Sequence, residues 1–208
     1  MHFEDRLFWQ RCANRYPHYF ASPSKVIDFG SLNVNGVIGD WVKSPFYIGV
    51  DWKPGPNVDL ISLAHEVPFR SELFDMVVSS SMLEHDPYWD KSLTKMVDVL
   101  KKDGIFIITW GAALNPEHFI DTAPDNKFHP LRAGLVIQLL KNLGLYIHEF
   151  QYARTICLEN NDEGFIKSHF VRENKMYGMG EVVLVAFKDK VQATGKRVIE
   201  PLIDEDKI

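Results

Sequence analysis

Apolar positions along this chain fall into two spacings. Short runs rich in β-branched residues recur from Val26 onward: Lys25–Phe29 (KVIDF), Tyr47–Asp51 (YIGVD), Val58–Ser62 (VDLIS), Phe74–Ser80 (FDMVVSS), Ile105–Trp110 (IFIITW), Leu145–Tyr152 and Glu181–Lys188 (EVVLVAFK). Runs of this length and residue type suit strands, and the nearly unbroken ones suit strands covered on both faces of a parallel sheet. Between them the spacing becomes helical. From Tyr88 or Trp89 to Leu100 the apolar residues Leu93, Met96, Val97 and Leu100 share one helix face, and Lys101-Lys102-Asp103-Gly104 reads as its cap. A second helix spans about Leu131 to Asn142 and stops at Gly144, and a short one is expected over Val37 to Val42. Alternation of strand and helix predicts an open, doubly wound α/β fold in three layers, α/β/α.

The flanks read differently. Residues 1–24 mix charges with Phe3, Phe8, Trp9, Tyr16, Tyr19 and Phe20, and Phe8 to Ala13 suits a helix that packs its aromatics on the domain or roofs a substrate pocket. Residues 25–188 hold the repeating strand and helix pattern. Within them 153–180 is a polar insertion carrying Phe165, Phe170 and Tyr177, and 189–208 is a polar tail expected to be mobile. A chain of 208 residues suits one domain with small appendages.

Composition narrows the classes. The 46% hydrophobic and 25% charged fractions are those of a globular protein, and no run approaches the roughly 18 apolar residues of a membrane span. The first 20 residues lack the basic start and apolar centre of a signal peptide, so a cytoplasmic protein is expected. Cys12 and Cys157 are too few for a disulfide framework, and His118, His148 and His169 lack metal-ligand spacing, so no metal site is expected. A net charge of −5 argues against a nucleic-acid substrate.

Candidate chemistry gathers where strands end. Val26–Gly36 (VIDFGSLNVNG) passes from a strand into a small-residue turn whose backbone N–H groups can face the polar end of a ligand. Asp51 ends the second strand about 20 positions on, where α/β nucleotide sites place a carboxylate on ribose hydroxyls. Ala64–Phe69 (AHEVPF) and Ser81–Pro87 (SMLEHDP) form the next loops.

Taken as an ordered set over residues 25–111, these segments resemble the successive motifs of class I S-adenosylmethionine-dependent methyltransferases. That resemblance implies a Rossmann-like, seven-stranded sheet with an antiparallel last strand and S-adenosylmethionine lying across the strand ends. It implies cofactor contacts from Asp28, Gly30, Ser31, Asn33 and Gly36 in the first motif, and from Asp51 on the ribose. Trp52 would pack beside the adenine with the backbone around Ala64 and His65 facing its ring, and Ser80, Ser81 and Met82 would line the methionine moiety. Two positions depart from the family pattern: the first loop carries fewer glycines, and Leu63 stands where an adenine-binding aspartate is common.

Methyl transfer from a sulfonium is an in-line displacement in which positioning can supply much of the catalysis, and a base is needed only if the acceptor must lose a proton. His85, Glu84, Asp86 and His129 are the candidate bases, each with a structural alternative: cofactor lining for His85, loop capping and hydrogen bonding for Glu84 and Asp86, a surface turn for His129. Trp110-Gly111, Tyr88 and Trp89 are candidates for the acceptor side. The expected activity is methyl transfer to O or N of a small molecule, with oligomeric state open. A catalytically silent cofactor-binding or scaffold protein is the alternative, and a nicotinamide-dependent oxidoreductase ranks lower because Leu32 and Asn35 stand where G-x-G-x-x-G needs glycine.

Overall fold

The computed structural model describes residues 3–34, 36–113, 121, 123–153, 171–172, 175–176 and 181–202. Helix α1 (Phe3–Arg15) and the single turn α2 (Pro17–Phe20) precede β1 (Val26–Phe29), β2 (Tyr47–Asp51), β3 (Leu60–Ile61) and β4 (Phe74–Ser80). Helix α3 (Trp89–Val99), β5 (Leu100–Gly111), α4 (Ala133–Asn142) and β6 (Tyr146–Ala153) follow. A two-residue hairpin of β7 (Val171–Arg172) and β8 (Lys175–Met176) stands apart, and β9 (Glu181–Phe187) and β10 (Val198–Ile199) end the fold.

Eight strands form one sheet in the order β10-β6-β9-β5-β4-β1-β2-β3. β1 pairs in parallel with β2 and β4, β4 with β5 and β2 with β3, while β9 runs antiparallel between β5 and β6. Seven strands and an antiparallel last one were expected, and the sheet contains them. Because β1 lies between β2 and β4, the crossovers leave from it in opposite directions and open a crevice at its C-terminal end.

Side chains alternate across the sheet, so each strand feeds two cores. On one face Phe106 and Ile108 join Val77, Phe29 and the apolar stripes of α3 (Leu93, Met96) and α4 (Val136, Leu140). On the other, Ile105 and Ile107 join Met76, Val78, Val183 and Val185 beneath Phe8, Trp9 and Cys12 of α1 and the nearby Tyr16, Tyr19 and Phe20. The N-terminal aromatics are therefore one of the three layers.

Four local readings change. The helix expected at Val37–Val42 is a 3-10 turn, Ile38–Asp40. Its stretch is short, holds β-branched residues and Gly39, and uses Ile38, Trp41 and Val42 to pack against the α1 core. Helix α3 stops at Val99 with Leu100 extended (φ −74°, ψ 132°), and Lys101–Gly104 belong to β5 instead of a cap. Gly104 serves close approach: a Cβ there would lie 2.5 Å from Leu100 Cδ1 and 3.0 Å from the Asp75 carbonyl. Trp110 does not face a pocket but is fully buried, its indole N–H donating to the Leu131 carbonyl at 3.2 Å.

The tail beyond Asp189 is in part structured. Val198 and Ile199 pair in parallel with Glu149 and Phe150, adding β10 to an edge that would otherwise present unpaired backbone. Arg15 holds the approach to it, donating to the carbonyls of Thr194 (3.1 Å) and Lys196 (2.7 Å). Phe165, Phe170, Tyr177, Cys157, His118, His169 and Asn35 lie outside the described residues, as does most of the expected cover at 153–180. Among the described residues no helix is long and apolar enough to cross a membrane.

Candidate active site

A cavity of about 350 Å³ opens at the C-terminal ends of β1, β2, β4 and β5. That volume is in the range of sites that enclose a cofactor-sized ligand.

Its floor is the β1 turn. The N–H groups of Gly30 and Ser31 both donate to the Val50 carbonyl, at 2.8 and 3.1 Å, drawing the turn against β2. Gly30 has φ +77°, and a Cβ there would lie 2.5 Å from Met82, so glycine lets the loops after β1 and β4 meet. Asp28 lies on the cavity wall, 2% exposed, with Oδ2 accepting the Tyr47 hydroxyl at 2.6 Å. Its Oδ1 has no hydrogen-bond partner among the described residues. Burial pushes the carboxyl up to about 7; the Tyr47 hydrogen bond works against the rise and the Asp51 charge adds to it.

Asp51 is braced by backbone. Oδ1 accepts Lys53 N–H at 2.9 Å and Oδ2 accepts Leu32 N–H at 3.3 Å, tying the end of β2 to the first loop. Burial raises its pKa, and the N–H groups of Lys53, Leu32 and Trp52 pull it back. Trp52, Ser62, Leu63 and Ala64 continue this wall.

The β4 side brings Ser80, Ser81 and Met82. Ser81 sits at φ +50°, a conformation that costs a non-glycine residue energy. Its N–H donates to the Thr109 carbonyl at 3.0 Å and its hydroxyl to Asp5 Oδ2 of α1 at 3.1 Å, contacts that hold it there.

The far end is acidic, with Glu84, Asp86 and Glu181 beside Gly111, His85 and Phe128. Glu84 is 3% exposed; Oε1 accepts Gly111 N–H at 2.8 Å and Oε2 has no partner among the described residues. Burial, with Asp5 nearby, holds its carboxyl well above the usual carboxylate range. Glu181 is opposite Gly111 in the β5–β9 register. His85 Nδ1 is 3.3 Å from the Lys127 carbonyl. A carbonyl only accepts, so in that bond Nδ1 carries the proton, and in the neutral ring Nε2 keeps its lone pair.

The sequence-predicted residues divide cleanly. Asp28, Gly30, Ser31, Gly36, Asp51, Trp52, Ala64, Ser80, Ser81, Met82 and His85 line the cavity. Asn33 does not: its Oδ1 folds back to accept Gly36 N–H at 3.0 Å. His65 packs its ring 4.8 Å from that of Tyr88, away from the lining. His129 is likewise off the wall, with Nε2 2.9 Å from Asp125 Oδ2 and its N–H on the Glu84 carbonyl at 2.6 Å. Tyr88 is exposed and Trp89 packs on the α3 core, so neither lines the cavity. Sequence reasoning missed Glu181 and the Asp5 contact; Glu84 and Asp86, candidate bases set against loop roles, both line the cavity, and their signal was their place directly after a strand end.

Residues 51–108 match the family model of the methyltransferase domain. No curated protein matches the chain in sequence. Among solved structures, a candidate S-adenosylmethionine-dependent methyltransferase from Listeria monocytogenes superposes with TM-score 0.63 at 14% identity, covering 88% of this chain and 96% of that one. The 1,6-didemethyltoxoflavin-N1-methyltransferase of Burkholderia thailandensis, solved with bound 1,6-didemethyltoxoflavin and S-adenosylhomocysteine, gives 0.54 at 15% identity over 88% and 81%. The [4+2]-cyclase SpnF gives 0.58 at 16% identity over the same shares, 88% and 81%, so the fold alone does not name a reaction. Residues 51–108 carry the sequence signature of a methyltransferase domain, and the fold is similar to that of solved S-adenosylmethionine-dependent methyltransferases.

Proposed function

We propose that this protein methylates a small-molecule acceptor at nitrogen, using S-adenosylmethionine, with His85 as the proton acceptor. The cofactor suits the cavity because Asp28 Oδ1 is a buried carboxylate oxygen without a partner, which an ammonium group would satisfy, and Asp51 stands ready for ribose hydroxyls. When bound, S-adenosylmethionine supplies an activated methyl group on a sulfonium.

The observation that carries the acceptor class is charge. Glu84, Asp86 and Glu181 line the far end, and among the described residues no lysine or arginine lines the cavity. When ionised, such a wall repels phosphate or carboxylate acceptors and stabilises the positive charge that nitrogen gains as it takes a methyl group, and that charge in turn draws the buried Glu84 carboxyl towards its ionised form. His85 Nε2 then takes the proton the nitrogen sheds and passes it to solvent. Gly111 N–H holds Glu84 in place through that step.

The test is calorimetric titration with S-adenosylhomocysteine, then a transfer assay on amines set against carboxylate- and phosphate-bearing acceptors. Turnover confined to amines, reduced about 10²-fold in His85→Ala with cofactor affinity unchanged, supports the reading. Preferential methylation of anionic acceptors would overturn it. Tight cofactor binding with no transfer to any acceptor would favour the silent reading, which the departures at Leu63 and in the first loop also favour.

A further inference from the structure

The first loop of the site runs Gly30-Ser31-Leu32-Asn33-Val34-Asn35-Gly36, with two glycines. A glycine-rich loop shapes itself by freedom of backbone; this one is shaped by side chains from the next strand and turn. Tyr47, the first residue of β2, stands beside Val26 in the β1–β2 register and sends its hydroxyl to Asp28 Oδ2 at 2.6 Å. Asn57, in the turn between β2 and β3, donates through Nδ2 to the Tyr47 hydroxyl oxygen at 2.9 Å and to the Ser31 carbonyl at 3.0 Å. In return Ser31 Oγ donates to the Asn57 carbonyl at 2.8 Å.

Space has been cleared for this interlock. A Cβ on Gly49 would collide with the Asn57 carbonyl and approach Ser31 Oγ to 2.6 Å. Asn57 itself holds φ +70°, a left-handed conformation that asparagine tolerates better than most residues. A Cβ on Gly39, in the 3-10 turn, would lie 3.5 Å from the Tyr47 hydroxyl and from the Asn57 amide oxygen, in ordinary contact with both. The chain of donors has one direction: the Asn57 amide gives to Tyr47, and Tyr47 gives to Asp28. Its single proton therefore points at one carboxylate oxygen and leaves Oδ1, the oxygen without a partner, for a ligand.

We infer that Tyr47 and Asn57 are positioning residues that orient the Asp28 carboxylate and hold the first loop open for the ammonium-bearing end of the cofactor. The inference rests on the cofactor reading above. Neither residue touches the ligand; each acts through Asp28 or Ser31. Leucine or phenylalanine at position 47 would fill the same space in the α1 core, where the Tyr47 ring packs, but would leave Asp28 Oδ2 without its donor.

The test is calorimetric titration with S-adenosylhomocysteine, from pH 6 to 8.5, of the full chain and its Tyr47→Phe and Asn57→Gly variants. Phenylalanine keeps the ring, and glycine accepts φ +70° without strain, so folding, checked by circular dichroism, is preserved in at least one of the two. Loss of one hydrogen bond to a buried charged group predicts binding weaker by about tenfold or more. The pH midpoint for binding should also rise in Tyr47→Phe, because the hydroxyl stabilises the ionised form of Asp28; Asp51 and Asp59 are the other ionisable groups beside the pair and are unchanged. In an Asp28→Asn background the Tyr47→Phe effect should shrink to within about twofold, the non-additivity of residues acting as one unit. Wild-type binding with folded variants of unchanged affinity and midpoint overturns this inference and leaves the cofactor reading standing. No binding by the wild type overturns the cofactor reading, and the inference with it.

Discussion

Asp28 is asked to be both buried and charged, and those demands conflict. Its carboxyl ionises near 3.8 in an unfolded chain and near 7 in the folded one, chiefly because burial penalises the charge. Between those values the folded state binds the proton more tightly, so folding stability contributed by Asp28 falls as pH rises from about 4 through 7 and is lowest above it. A bound ammonium reverses that cost. Asp28→Asn should therefore raise the melting temperature of the ligand-free protein at pH 8, with the gain shrinking towards pH 5.5, and weaken S-adenosylhomocysteine by at least about tenfold. Thermal melts at both pH values, with and without ligand, check both effects; a variant less stable than wild type at pH 8 would refute the conflict. Asp28 and Gly30 were legible because one strand and one turn specify them locally. Tyr47 was not, since its bond to Asp28 depends on the β1–β2 register, nor was the bond from Gly111 to Glu84, whose partners lie 27 positions apart.

Helix α1 shows what an element does beyond its own pattern. Its aromatics announced a buried face, and that face fills the layer that the 3-10 turn after β1 leaves thin. Its polar residues gave no such notice. Asp5 reaches Ser81 at the site, while Arg11 and Arg15 pair with Glu149, a carboxylate 1% exposed on β6. Arg15 spans further, to the Thr194 and Lys196 carbonyls that precede β10. The helix thus joins the cofactor end of the sheet to its far edge. Removing Arg15 leaves Glu149 with Arg11 alone and releases the approach to β10, so Arg15→Ala should cost roughly 3 kcal/mol. Urea unfolding measures it, and Glu149→Gln added to that variant should restore part of the loss because no buried charge is then left short of a partner. An unchanged midpoint in Arg15→Ala would mean that the cluster contributes nothing to stability.

At the scale of the whole molecule, strand order was legible and closure was not. Seven apolar runs in sequence, alternating with helical stretches, suit the doubly wound sheet, in which helices cover both faces. What closes the sheet comes from the ends of the chain, where the pattern suggested an aromatic segment packing on the domain and a mobile tail. Both ends converge on β6, α1 through Glu149 and the tail through the pairing of Val198 and Ile199 with its outer edge. A domain bounded at residues 25 and 188 would expose Met76, Val78, Ile105, Ile107, Val183 and Val185, all buried beneath α1 and its neighbours. At about 25 cal/mol per Å² of apolar surface, uncovering a whole core layer exceeds the 5–15 kcal/mol that holds a typical domain folded. The fragment 25–188 should therefore be unfolded or aggregated under conditions where the full chain is a folded, ligand-binding protein. Circular dichroism, size-exclusion chromatography and S-adenosylhomocysteine titration of the two side by side decide it. A fragment that melts cooperatively and binds ligand as the full chain does would return the N-terminal helix to the status of an appendage.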